Sequence, residues 1–328
     1  MKSNSIQRIA VITSGGDAPG MNAAIRAVVR TALYHEIQVV GFYRGYDGMI
    51  ENDCVELDST SVKHTLSKGG TWLKSARSEA FRTPEGRAQA VANLNKGNIN
   101  ALVVIGGDGS FTGAKLLAEE HDFPVIGIPG TIDNDLYGTD YTIGYDTAVN
   151  TVIDAVDKVR DTASSHNRLF LVEVMGRDAG FIALSSAVAT GGMDVVLPEE
   201  THKIEDIFQT VERGMARRKT SNIIIVAEGN RLGNTMSIAD AVRMKYPDMD
   251  VKVTILGHIQ RGGSPSHMDR VLASRMGVRA VEGLINDETQ VMVGISQGSM
   301  VYVPFADAIE KKAPLNMDLL RVAHILST

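Results

Sequence analysis

The chain has 328 residues, 44% of them hydrophobic and 22% charged, with a formal net charge of −6. It is long for a single core and holds no run of about 18 apolar residues that would cross a membrane; its acidic balance and its aromatic content of 5% argue against nucleic acid as a partner. A single cysteine, Cys54, excludes an internal disulfide, and the N-terminus lacks the apolar stretch of a signal peptide, so the expected setting is the reducing cytoplasm.

Short β-rich runs alternate with helical patterns. Arg8–Thr13, Ile37–Phe42, Ala101–Ile105 and Val125–Ile128 read as buried strands, each β-branched and ended by glycine or proline. Helices are expected at Met21–Tyr34, Pro84–Leu94 and Ser110–Glu119 between them. The clearest helix is Asp146–Asp161, with Val149, Val152, Ile153, Val156 and Val159 at helical spacing. A second series follows: strand Leu169–Val174, helix Asp178–Ala189, strand Val195–Leu197, helix Ile204–Arg218, strand Ile223–Ala227, strand Val251–Leu256 and a helix near Met268–Ile285. This alternation predicts βαβ units, parallel sheets and two α/β domains without a low-complexity linker.

In open α/β sheets, ligands bind beyond the carboxyl ends of the strands. Four loops fall there. Thr13–Asn22 (TSGGDAPGMN) reads either as a tight βα turn or as a glycine loop presenting helix N–H groups to an anion. It lacks both the phosphate-loop ending and the GxGxxG fingerprint. Gly106–Ser110 (GGDGS) places Asp108 among glycines, where its carboxylate holds Mg²⁺ directly or through water, or where Asp108 or Ser110 caps a helix. Pro129–Asp135 (PGTIDND) sets Asp133 and Asp135 two residues apart behind the Thr131 hydroxyl. Asp133 suits the acceptance of a proton from an attacking alcohol, and Asp135 the holding of charge near a metal. Leu256–Pro265 (LGHIQRGGSP) brings His258 and Arg261 beside glycines, a set suited to a phosphate monoester.

These stretches, with VEVMGR at Val172–Arg177, stand in the order found in the 6-phosphofructokinases, which the chain resembles over essentially its full length. The resemblance implies two Rossmann-like, three-layer domains with mostly parallel sheets facing a cleft: an ATP/Mg-binding domain of residues 1–144 and 257–308, and a sugar-phosphate domain of 145–256 and 309–328. It implies transfer of the γ-phosphoryl of ATP to the 1-hydroxyl of fructose 6-phosphate by a Mg²⁺-dependent homotetramer. Gly16, Arg77, Arg82, Asp108, Gly109, Ser110 and Gly113 then belong to the nucleotide and metal site. Asp133 is the base, and Thr131 and Arg177 stabilise the transferring phosphoryl. Met175, Gly176, Glu228, His258 and Arg261 match the sugar-phosphate pocket, and Arg168 reaches that pocket in a neighbouring subunit. Arg26, Arg30, Arg160, Arg217 and Lys219 match a basic cluster that receives ADP or phosphoenolpyruvate as effector.

Two glycines bear on the donor. Members that use pyrophosphate carry an acidic side chain where this chain has Gly109 and a lysine where it has Gly130; glycine at both positions is expected to leave room for ATP. The chain also departs from the pattern. Lys252 replaces an arginine that pairs with Arg168 on the sugar phosphate, keeping the charge but losing the planar fork. Ser78 replaces an aromatic beside the adenine, and Thr112 a frequent methionine. Ser59 and Met193 fall where bacterial members have an arginine and a glutamate, so altered diphosphate activation is expected. The alternatives are a pyrophosphate-dependent relative, a catalytically silent nucleotide-binding subunit and a nicotinamide-dependent oxidoreductase. The silent-subunit reading is countered by the presence of Asp108, Thr131, Asp133 and Arg177, and the last by the missing fingerprint.

Overall fold

The computed structural model describes residues 6–164, 168–217 and 222–327. The chain opens with β1 (Arg8–Thr13), α1 (Met21–Tyr34), β2 (Gln38–Phe42), α2 (Tyr46–Glu51) and β3 (Cys54–Leu57). Next come α3 (Pro84–Lys96), β4 (Ala101–Gly106), α4 (Asp108–His121), β5 (Val125–Pro129) and α5 (Tyr145–Ser164). Then β6 (Leu169–Val174), α6 (Phe181–Thr190), β7 (Asp194–Val196), α7 (Ile204–Ala216), β8 (Asn222–Ala227), α8 (Thr235–Lys245) and β9 (Val251–Ile255) alternate. A helix α9 (His267–Ile285), the hairpin β10 (Val291–Ser296) and β11 (Ser299–Pro304), and helices α10 (Phe305–Glu310) and α11 (Met317–Leu326) complete the chain.

Two compact units result. One takes residues up to Ile132, Leu136–Thr147 and Arg261–Ala313; the other takes Asp133–Asp135, Ala148–Gln260 and the chain from Pro314. Each is built on its own sheet. The first sheet runs β11-β10-β5-β4-β1-β2-β3, and the second β7-β8-β6-β9. β1, β2, β4, β5 and β10 are parallel, with antiparallel β3 and β11 at the edges. The second sheet is parallel throughout.

Burial explains the composition of the strands. Every residue of β4 and β5 is buried, as the central strands of a parallel sheet covered on both faces require. On one face of the first sheet, Ala10, Ile12, Leu102 and Val104 pack with Phe111 of α4 and Phe305 of α10. The second sheet buries Leu169, Leu171, Ile224 and Val226 against Ile207 and Val211 of α7 and Ile238 of α8.

The topology also marks a place for ligands. From β1 the chain passes by α1 to β2 on one side, whereas β4 and β5 lie on the other. Strand order therefore reverses between β1 and β4, the position at which open α/β sheets bind their ligands. The connections there are Ser14–Gly20 and Gly107, which leads into Asp108 at the start of α4. In the second sheet β6 has β8 on one side and β9 on the other, so the loops after β6, β8 and β9 occupy the equivalent end.

Most boundaries fall within two or three residues of the pattern reading. Helix α4 begins at Asp108 rather than Ser110, with Gly107 as N-cap and no side-chain cap hydrogen bond, so neither Asp108 nor Ser110 serves as the cap. Helix α6 begins at Phe181 instead of Asp178, because Gly176 (φ +146°) and Arg177 (φ +55°) turn the chain out of helical geometry. The turn is then closed by Ala179 N–H on Gly176 O at 2.9 Å. Among the described residues, no helix is long and apolar enough to cross a membrane.

Candidate active site

In the first unit, the loops after β1, β4 and β5 lie side by side because their strands are neighbours. Ser14 N–H donates to Ile105 O at 3.0 Å and Gly130 N–H to Gly106 O at 2.9 Å. A Cβ on Gly107 would lie 3.7 Å from the Cβ of Thr131, whereas one on Gly109 would meet nothing within 4 Å. The GGDGS and PGTIDND loops thus touch at Gly107 and Thr131, and Gly109 faces open space. Asp108, the first residue of α4, is exposed there. Gly130 differs from Gly109: a side chain on it would start 3.0 Å from both Ile105 and Met21, against the apolar core.

Gly16 lies against the guanidinium at the far end of the flexible Arg261 side chain. A Cβ there would fall 2.6 Å from Arg261 Nη1, and that nitrogen donates to Asp17 O at 3.1 Å. The arginine assigned by resemblance to the sugar phosphate therefore rests against the glycine assigned to the nucleotide. Gly113 is tightly packed: a Cβ would come within 3.2 Å of the Phe81 and Tyr46 rings, which are stacked at 3.9 Å. The buried Tyr46 hydroxyl donates to Ser110 O at 2.6 Å, and burial pushes its pKa up.

Arg77 and Arg82 are exposed, Arg82 lying 3.5 Å from Glu79. The segment that carries them is anchored by a residue the sequence reading passed over. Arg87, 4% exposed, donates through Nη1 to Phe81 O at 3.0 Å and Arg82 O at 2.8 Å, and through Nε and Nη2 to Glu120 at 2.6 Å each. Helix α3 is thereby tied both to the Arg82 turn and to α4.

No group of three or more His, Cys, Asp or Glu is gathered for a metal among the described residues. That donor set does not fit a dedicated all-protein cage. It fits a Mg²⁺ that keeps most of its water and arrives with substrate phosphates, needing one carboxylate from the protein; exposed Asp108 is such a carboxylate.

In the second unit, Asp133 and Asn134 are buried to 8% and 7% exposure, Asn134 holding a left-handed φ of +54° that turns the chain between the paired aspartates. Asp135 is half-buried. At the end of β6 the backbone around Met175, Gly176 and Arg177 is held from two sides. Glu228, following β8, accepts from Gly176 N–H at 3.2 Å and from Arg177 N–H at 2.7 Å through Oε1. Gln260, fully buried, accepts from Met175 N–H at 3.2 Å and donates to Gly257 O at 3.0 Å. It thus joins the Met175 turn to the 3-10 turn Gly257–Arg261 that exposes His258. At Gly176 the backbone demands glycine: with φ +146°, a Cβ would lie 2.3 Å from Ala179 O.

Arg168 and Lys252 are brought together by a carboxylate that sequence reasoning missed. Asp250 accepts from Arg168 Nε at 2.6 Å and pairs with Lys252 Nζ at 2.7 Å. Hydrogen bonds from Lys252 and then Arg168 hold its carboxyl below the usual carboxylate range. The expected effector residues are distributed between the units. Arg26 and Arg30 stand one turn apart on α1, and burial, then the Arg30 charge, depress the Arg26 pKa. In the second unit the Arg160 guanidinium donates to Thr190 O, Arg217 is exposed after α7, and Lys219 lies outside the described residues. Met193 is 5% exposed and packs in the core with Leu169 and Val211, an apolar setting where a carboxylate would be costly.

Comparison with known proteins agrees with the motifs. A family model described as Phosphofructokinase matches residues 8–284. The protein named ATP-dependent 6-phosphofructokinase 2 of Bacteroides thetaiotaomicron is 53% identical over 323 residues, which cover 98% of this chain and 99% of that one. The protein named ATP-dependent 6-phosphofructokinase 1 of Thermus thermophilus is 51% identical over 322 residues, 98% of this chain and 100% of its own. Among solved structures, phosphofructokinase from Saccharomyces cerevisiae matches 98% of this chain with a TM-score of 0.86 at 37% identity; the chain spans 47% of that yeast chain.

Proposed function

The chain belongs to the phosphofructokinase family, and from that premise we propose that it transfers the γ-phosphoryl of ATP to the 1-hydroxyl of fructose 6-phosphate, giving fructose 1,6-bisphosphate and ADP. The observation that carries this reading is identity of 53% and 51%, over 98% of the chain, with proteins named ATP-dependent 6-phosphofructokinase.

Asp133 takes the proton of the sugar 1-hydroxyl as the oxygen attacks, which is general-base work for a carboxylate beside the reacting alcohol. Thr131 and Arg177 act on the phosphoryl in flight; fixed donors cost no reorganisation at the moment of reaction. Supporting Arg177 is its backbone N–H, fixed by Glu228 at 2.7 Å. Asp108 would hold Mg²⁺, with Gly16, Arg77, Arg82, Gly109, Ser110 and Gly113 around the nucleotide. The metal, when bound, neutralises charge on the phosphates. Met175, Gly176, Glu228, His258, Arg261 and Asp135 form the sugar-phosphate side, completed by Arg168 and Lys252 of a second copy in a homotetramer. Support for the last step is the edge position of β9 and the exposure of Ile255 at its end and of Ile259 in the turn that follows, 56% and 59%, apolar side chains that a partner would cover. ADP or phosphoenolpyruvate is the effector class matched by Arg26, Arg30, Arg160 and Arg217.

A pyrophosphate donor is the second reading. Open space at Gly109 favours the bulkier nucleotide. A coupled assay with fructose 6-phosphate, Mg²⁺ and either ATP or pyrophosphate decides: turnover with ATP alone is expected, turnover with pyrophosphate alone would replace the donor, and none with either would remove the assignment.

A further inference from the structure

We infer that Asp269 is a positioning residue for phosphoryl transfer: through the first turn of α5 it fixes the stretch of backbone that carries Thr131. The inference rests on the reading of Thr131 as a contact of the transferring phosphoryl.

Asp269 lies in the first turn of α9 and is 1% exposed. Its carboxylate accepts three hydrogen bonds from one short segment: Gly144 N–H at 2.7 Å, Thr147 N–H at 2.8 Å and the Thr147 hydroxyl at 2.5 Å. Gly144 immediately precedes α5 and Thr147 sits in its first turn, so Asp269 caps α5 from a neighbouring helix, at the positive end of the dipole. Thr147 Oγ1 in turn accepts from Ser266 N–H at 2.9 Å, and Ser266 is the N-cap of α9. The ring closes on itself. Burial pushes the Asp269 carboxyl above its usual range, opposed by the hydrogen bonds from Thr147 and Gly144. An asparagine or serine caps a helix without burying a charge, so capping alone leaves the carboxylate unexplained.

What the ring holds lies just upstream. Thr142, fully buried, donates its hydroxyl to Thr131 O at 2.6 Å. Ile143 N–H donates to Pro129 O at 2.9 Å, and Gly130 and Ile143 form a parallel bridge. The segment has no slack. Gly144 holds a φ of +104° and a Cβ on it would meet Ala18 at 2.7 Å; a Cβ on Gly20 would meet Ile143 at 2.6 Å. A shift at Gly144 therefore passes through Ile143 and Thr142 to Gly130 and Thr131. Displacements of an ångström near reacting atoms cost up to about a hundredfold in rate.

The test measures kcat and both KM values for Asp269→Asn, Thr142→Val and the double variant, with melting temperatures alongside. Asparagine retains one acceptor but turns an N–H₂ toward donors, and valine deletes the hydroxyl on Thr131 O. Each single variant is expected to lose about tenfold in kcat with both KM values within about twofold. The double variant is expected to lose little more than the worse single, because both act through the same backbone. A purely architectural Asp269 would lower the melting temperature and leave kcat per folded chain unchanged; that result, or single losses that multiply in the double, overturns the inference. Should Asp269→Asn fail to fold, Thr147→Val opens the same ring at one hydroxyl and is read by the same split. Thr131→Val separates this inference from its premise. If it keeps full kcat, the role of Thr131 falls; if it is inactive while Asp269→Asn is fully active, the positioning role alone falls.

Discussion

Asp133 follows β5 by four positions and is buried to 8% exposure, a setting in which one carboxylate can be held beside an alcohol with little water to compete for its proton. A base of this kind contributes about 10²- to 10⁴-fold to turnover. Asp133→Ser is therefore expected to lower kcat by that range while leaving the KM for ATP and for fructose 6-phosphate largely intact, since the lost contact matters in the transition state. Steady-state kinetics of the purified variant checks this, and near-normal turnover would end the assignment of the base. Asp108 stands out in the sequence as a charge among glycines directly after an all-apolar strand, and Asp133 as one of two carboxylates two residues apart behind the Thr131 hydroxyl. Asp269, Arg87 and Gln260 gave no such signal. Asp269 meets Gly144 across a separation of 125 positions and Gln260 meets Met175 across 85, so their roles exist only once the chain is folded.

At the level of elements, the pair Arg87–Glu120 joins α3 to α4 and holds the turn bearing Arg82. The Arg87 side chain is 5% exposed and that of Glu120 33%. The Arg87 guanidinium, by hydrogen bonding first and charge as well, holds the Glu120 carboxyl below its usual range. A carboxylate with a depressed folded pKa contributes stability above its unfolded value, about 4.3, and that stability is lost as pH falls through the folded pKa. Glu120→Gln is thus expected to be destabilised relative to the parent at neutral pH, by on the order of 2 kcal/mol, with the gap narrowing below about pH 4. Urea unfolding at fixed protein concentration, repeated across pH, reads the gap; a gap that stays constant into acid would show that the charge contributes nothing. Most elements of the parallel sheets were readable because central strands are short apolar runs between glycine loops. The hairpin β10–β11 was not anticipated, although Gln297 (φ +49°) and Gly298 (φ +81°) make its two-residue turn, a chemistry most visible when asparagine precedes the glycine. Helix α8 escaped notice for a different reason: its interior shows only Thr235, Ile238, Ala239 and Val242, too few large apolar residues to stand out from a polar loop.

For the whole molecule, the question is why Arg168, just ahead of the interior strand β6, and Lys252, on the edge strand β9, stand together. Asp250 orients both cations at 2.6 and 2.7 Å, and Ile255 and Ile259 are more than half exposed nearby in the chain. A cation pair beside an apolar edge is the arrangement expected if one copy lends its charges to the sugar-phosphate pocket of another across a two-fold interface, where each copy gives and receives the same contact. Mixing variants tests this directly. Asp133→Ser lacks the base but keeps its cations to lend, and Arg168→Ala keeps the base but has no arginine to lend; each alone should be nearly inactive. In a pair formed from one of each, the pocket of the Arg168→Ala copy has its own Asp133 and receives Arg168 from its neighbour, so one site of the two is whole. Random assembly makes half of the pairs mixed, and roughly a quarter of wild-type activity should return. If each arginine instead served the pocket of its own chain, no combination would restore a complete site. Co-expressed, doubly tagged hybrids that stay as inactive as the parents would therefore refute sharing of the pocket between copies.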